Sequence, residues 1–114
     1  MSSLTESQSF LALITQPSSQ TVQAGLPVTL KCSAGSNRKV TFQWKHNNNT
    51  IQTDKERGVT IRDDGSLRIS NTDLDDDGMY RCIASIKRGT KRGKIVRKSR
   101  WARITVKGKI LRLC

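Results

Sequence analysis

The segment "MYRCIASI", residues 79–86, alternates two kinds of side chain with a period of two, sending Tyr80, Cys82, Ala84 and Ile86 to one side. An extended chain places successive side chains on opposite faces, whereas the apolar positions of a helix recur every 3.6 residues, so this pattern specifies a strand. "VTFQWKH" repeats it with Val40, Phe42 and Trp44 inward and Thr41, Gln43 and Lys45 outward. "PVTLKCSA" does so through Val28, Leu30 and Cys32, and "WARITV" through Ala102, Ile104 and Val106. Turn chemistry punctuates these runs at spacings of roughly 8 to 12 residues, the signature of an all-β domain. Pro17 halts a first strand in "FLALITQP", and the Asp64-Gly65 turn of "RDDGSLRI" leads into a strand whose Leu67 and Ile69 share a face.

At 114 residues with 34% apolar composition, the chain has one domain's length and enough apolar surface for a single core. Residues 1–10 read as a polar lead-in, 11–108 as the domain and 109–114 as a tail or linker. No stretch reaches the ~20 apolar residues of a membrane span, and the apolar run from Phe10 to Ile14 is too short for a signal-peptide core. The domain is expected either to be cut from a longer secreted or membrane-anchored chain, whose other parts would supply any membrane attachment, or to be intracellular. Its formal charge of +12 is polarised: the 9 acidic residues all precede Gly78, and every charged residue from Arg81 onward is Lys or Arg. A field of one sign favours polyanionic partners.

Cys32 and Cys82 both face inward, 50 residues apart, with Trp44 twelve after the first and Tyr80 two before the second. This spacing resembles the immunoglobulin fold. The resemblance implies a Cys32–Cys82 disulfide joining two sheets, Trp44 packed on it, and a tyrosine corner in which Asp76, Gly78, Tyr80 and Cys82 fill the D-x-G-x-Y-x-C pattern. The implied fold is a two-sheet Greek-key sandwich of the I-set type with a long basic hairpin between its last two strands. Closing a loop of that length would stabilise the fold by about 4 kcal/mol on the chain-entropy model. The third cysteine, Cys114, is odd and terminal, a boundary residue or an intermolecular link. "QPSSQTVQAGLPVTLKCSA", "DDGSLRIS", "DDGMYRCIAS" and "SRWARITVKG" resemble I-set domains of cell-surface receptors. Within them, C-x-A-S followed by S-R-x-A-x-I-x-V is similar to the netrin-receptor group of DCC and neogenin, and "QPSSQ" to the colon-carcinoma-kinase and off-track receptor pseudokinases. Many I-set domains have a short hairpin after the second cysteine, where this chain has "KRGTKRGKIVRK".

Asp73, Asp75, Asp77 and Gly78 also match the opening of a calcium-binding EF-hand loop, but its twelfth position, which should be a bidentate Glu, is Ala84. The corner pattern is complete where the calcium pattern fails, so no metal is expected. On the corner reading Thr72 or Asp73 caps a short helical turn, and Asp76 accepts from an arginine, Arg57 first and Arg62 second.

No catalytic constellation or cofactor motif emerges: His46, in the polar "KHNNN" stretch, has no thiol or carboxylate set around it and reads as a solvated loop residue. Recognition is the expected role, with a protein ligand or co-receptor and an extracellular or cell-surface location. Asn48 heads an N-x-T acceptor for glycosylation. Lys87, Arg88, Lys91, Arg92, Lys94, Arg97, Lys98 and Arg100 form the basic hairpin, and "TKRGKI" fits the X-B-B-X-B-X spacing of heparin-binding segments. Cations clustered within a Debye length of ~8 Å act jointly on a sulfated chain, so heparan sulfate is the expected ligand. Nucleic acid is expected to bind only non-specifically, since few aromatics are left to stack bases. Trp101 has the opposite parity to Ala102, Ile104 and Val106 and should face outward beside Arg103, opposite Arg81 and Ile83. It is either a protein-binding hot spot or a cover for the hairpin base, stacked on an arginine. The alternative to a receptor module is an intracellular structural domain of a muscle or cytoskeletal scaffold, with reduced cysteines.

Overall fold

The computed structural model describes residues 9–88 and 93–108. Its strands run β1 (Leu11–Thr15), β2 (Gln20–Gln23), β3 (Val28–Leu30), β4 (Ser33–Ser36), β5 (Thr41–His46) and β6 (Asn49–Thr50). They continue with β7 (Val59–Ile61), β8 (Leu67–Ile69), β9 (Gly78–Lys87), β10 (Lys94–Lys98) and β11 (Ala102–Lys107), with one 3-10 turn, Leu74–Asp76, before β9. One layer holds β3-β8-β7 and, two residues beyond the end of β3, the β4-β1 pair. The facing layer is ordered β2-β11-β9-β5-β6, with β10 pairing the other half of β9.

The core lies where the alternating patterns meet. Val28, Leu30, Cys32, Trp44, Leu67, Tyr80, Cys82 and Ile104 are all buried in one cluster, and Cys32 is disulfide-bonded to Cys82 across the layers, their Cα atoms 6.5 Å apart. Trp44 is fully buried and donates its indole N–H to the Gly65 carbonyl at 2.8 Å. Gly65 takes φ +107°, and a Cβ there would stand 2.5 Å from the Phe42 ring, so both the turn and the close approach require glycine.

Pro17 splits the first strand between layers. Residues 11–15 pair antiparallel with β4, and residues 20–23 pair parallel with β11. Pro17 is buried at the crossing and has no N–H to offer a ladder. Phe10 is left just outside β1 and 51% exposed, not in the strand where the sequence placed it.

In the basic segment β9 continues to Lys87, and β10 pairs with it from Lys94↔Lys87 to Lys98↔Ile83, so Lys94, Arg97 and Lys98 are strand residues. Lys91 and Arg92, with Gly89 and Thr90, lie outside the described residues, as do Cys114 and most of the expected lead-in and tail. Between β10 and β11 the chain bulges at Ser99–Trp101: buried Ser99 donates its N–H to the Cys82 carbonyl and accepts the Cys82 N–H on its hydroxyl, at 2.9 Å each.

Candidate recognition surface

In the acidic corner Asp73, Asp76 and Asp77 accept hydrogen bonds, while the exposed Asp75 carboxylate accepts none from a described residue. Asp73 caps the 3-10 turn in a reciprocal capping box with Asp76. Asp76, largely buried, accepts both 2.9 and 3.1 Å bonds from Arg57 Nη2. Arg57 is thus the expected partner, and its pairing with Asp76 raises the guanidinium pKa. Asp77 accepts from Arg103 Nη2 at 2.6 Å and from the Val106 N–H at 2.8 Å. Tyr80 donates its hydroxyl to the Asp76 carbonyl, and burial, reinforced by the Asp76 carboxylate, pushes its pKa up. Gly78 sits at φ +144° with His46 Nε2 2.7 Å from where a Cβ would be.

His46 itself is not the solvated loop residue its polar neighbours suggested. It ends β5, stacks on Tyr80 with ring centroids 4.4 Å apart and an interplanar angle of 7°, and places Nε2 2.9 Å from the Asp77 carbonyl. Asn47 turns the β5–β6 hairpin at φ +57° and accepts from the Met79 N–H, which leaves Asn48 exposed at the tip.

The outward face of the β5-β9-β10-β11 layer is a different environment. The register sets Lys45 beside Arg81, Gln43 beside Ile83, and Ile83 beside Lys98. Trp101, 37% exposed, lies under the Arg81 guanidinium, whose Cζ is 4.6 Å from the indole centroid. Arg81 Nε donates to the Ser99 carbonyl at 2.8 Å, so one edge of its guanidinium is held and stacked while the other has no partner among the described residues. Trp101 thus faces outward, and the stack on an arginine expected of a hairpin cover is present.

The eight basic residues singled out by the sequence are not equivalent. Arg97 Nε donates to the Leu11 carbonyl at 3.0 Å, and Arg100 Nε to the Pro17 carbonyl at 3.1 Å, tying the bulge and β10 to the crossing strand. Lys87, Lys94 and Lys98 are exposed and form no hydrogen bond or ion pair with a described residue through their side chains. The role of Arg97 and Arg100 escaped the sequence because a bond to a main-chain carbonyl depends on no partner side chain. Among the described residues no cluster of His, Cys, Asp or Glu could hold a metal.

Among curated proteins the chain is 35% identical over 69 residues to human probable oxidoreductase PXDNL, covering 60% of this chain and 5% of that protein. It is 36% identical over 69 residues to human contactin-4, covering 60% of this chain and 6% of the relative, and 34% identical over 74 residues to human neogenin, covering 65% and 5%. The chain thus spans about a twentieth of the length of these relatives. The fold is similar to the tandem Ig repeats of Dlar at a TM-score of 0.76 and 24% identity, covering 89% of this chain and 50% of that one. It is also similar to the titin M10–obscurin-like 1 Ig complex at 0.73 and 17%, covering 90% and 99%. Residues 12–85 match the family model of the immunoglobulin domain, and with the interlayer disulfide and tyrosine corner in place, the chain belongs to the immunoglobulin domain family.

Proposed function

We propose that this domain is a non-enzymatic recognition module of a cell-surface or secreted protein, engaging a protein partner and a sulfated glycosaminoglycan through its β9-β10-β11 side. The observation that carries this is an imbalance of partners: the corner carboxylates Asp76 and Asp77 are paired, whereas Lys87, Lys94 and Lys98 stand exposed without an ion pair among the described residues. Like charges held this close repel, and a polyanion relieves that repulsion. Heparin affinity chromatography tests the polyanion: replacing Lys87, Lys94 and Lys98 by Ser should lower the eluting salt well beyond three substitutions elsewhere, and an unchanged elution would refute it. For the protein partner, Arg81, Ile83, Trp101 and Arg103 are the contact residues, and a folded Trp101→Ala variant that still binds would remove Trp101 as a hot spot. Asn48 accepts an N-linked glycan on this reading, a position supported by its exposure at a hairpin tip.

The second reading, an intracellular structural domain, draws on the fold shared with titin. A free-thiol count on natively purified protein separates the two. One thiol among the three cysteines fits the oxidising compartment, and three would remove it.

A further inference from the structure

Arg81 has a feature that no other basic side chain on this face shares. Its Nε is engaged by the Ser99 carbonyl and its plane lies against Trp101, so the side chain is fixed before any ligand arrives. Its two terminal nitrogens have no partner among the described residues. A guanidinium held in this way presents a ready fork to a two-oxygen anion, with little rotamer entropy left to lose on binding.

Two ammonium groups flank it. Lys45 is its cross-strand neighbour on β5, and Lys98 stands one step along on β10, opposite Ile83. Further along the same outward row Lys94 and Lys87 face one another. The row therefore runs along the strands from Arg81 to the end of β9, with Val96 as its exposed apolar member. Among the described residues the one carboxylate bonded to a cation of this face, Asp77, is occupied by Arg103 and the Val106 N–H.

We infer that Arg81 is the anchor of the polyanion site: a sulfated polysaccharide lies along the sheet face, with one sulfate or carboxylate on the Arg81 fork between Lys45 and Lys98. This rests on the polyanion reading given above and moves its centre from the hairpin tip to the sheet. A linear chain fits the length of this row, where Lys45, Lys87, Lys94 and Lys98 accompany Arg81, because lysine is depleted at the centres of protein interfaces, while the protein contact proposed above is confined to its Trp101 end. Trp101 serves as the shelf that fixes the fork, a support that Arg97 and Arg100, bonded to main-chain carbonyls without an aromatic ring beneath them, lack among the described residues.

The test measures binding of a size-defined heparin oligosaccharide by calorimetry at ~0.15 M salt, with polyglutamate of equal charge as the comparison. Arg81→Gln, which keeps a polar side chain but removes the charged fork, should weaken binding about tenfold. Lys45→Ser/Lys98→Ser should produce a similar loss, and since neither side chain bonds a described residue, this variant stays informative if Arg81→Gln disturbs the bulge. Lys31→Ser, in the opposite layer, sets the effect of removing a charge anywhere. If wild type binds the oligosaccharide but the Arg81 and Lys45/Lys98 variants match the Lys31 control, the anchor is wrong and the polyanion reading survives. Equal affinity for polyglutamate would overturn the sulfated-chain assignment and give the face to an acidic protein.

Discussion

The acidic corner at residues 73–80 and the basic face at residues 81–98 adjoin on one strand and differ in what their charges touch. Asp73, Asp76 and Asp77 are each bonded to a backbone N–H, and the last two also to arginines. Lys45, Lys87, Lys94 and Lys98 have no such partners among the described residues. A charge whose bonds are complete contributes to the fold and has little left for a ligand, whereas an unpaired charge is worth little to stability and remains available. The same local density of charge thus has opposite consequences on the two sides of Tyr80.

The sharpest way to break this contrast is Asp76→Ala. It strips Arg57 of its carboxylate and orphans the Asp73 N–H, so urea unfolding should show a loss of about 3 kcal/mol, the low end for breaking a buried pair because Arg57 is 45% exposed. A loss below about 1 kcal/mol would place the corner with the solvated charges.

Tyr80 gives the next effect. An unfolded tyrosine ionises near pH ~10, and the folded domain holds the proton beyond that. Its contribution to stability is therefore complete below pH ~10 and is lost as pH rises above it. As the only tyrosine in the chain, Tyr80 should give its phenolate absorbance together with alkaline unfolding. Tyr80→Phe should cost about 1 kcal/mol at neutral pH and flatten that alkaline loss.

The smallest effect is expected on the basic side. Lys87→Ser/Lys94→Ser/Lys98→Ser should change stability by no more than about 0.5 kcal/mol while altering heparin elution. Destabilisation on the scale of Asp76→Ala would erase the distinction between the two regions.

Sequence alone made the layers legible because half-buried strands must alternate, and every inward position assigned in "MYRCIASI" and "WARITV" is buried. The corner was legible for a related reason: Asp76, Gly78 and Tyr80 have one geometry that uses all three. What stayed hidden were interactions that end on backbone. The layer switch at Pro17, the Ser99 bulge and the anchoring of Arg97 and Arg100 all run through carbonyls and amides that every residue type offers. His46 misled because polar neighbours describe a loop's composition, while its stack on Tyr80 comes from their register in adjoining strands.

The Ser99 bulge has a further consequence for how this chain tolerates change. By fastening the backbone to Cys82 in the middle of β9, it separates the half of the layer that meets β11 from the half that meets β10. A shift of register between β9 and β10 would therefore stop at this clamp, and Tyr80, Cys82 and Ile104 would keep their places on the far side of it.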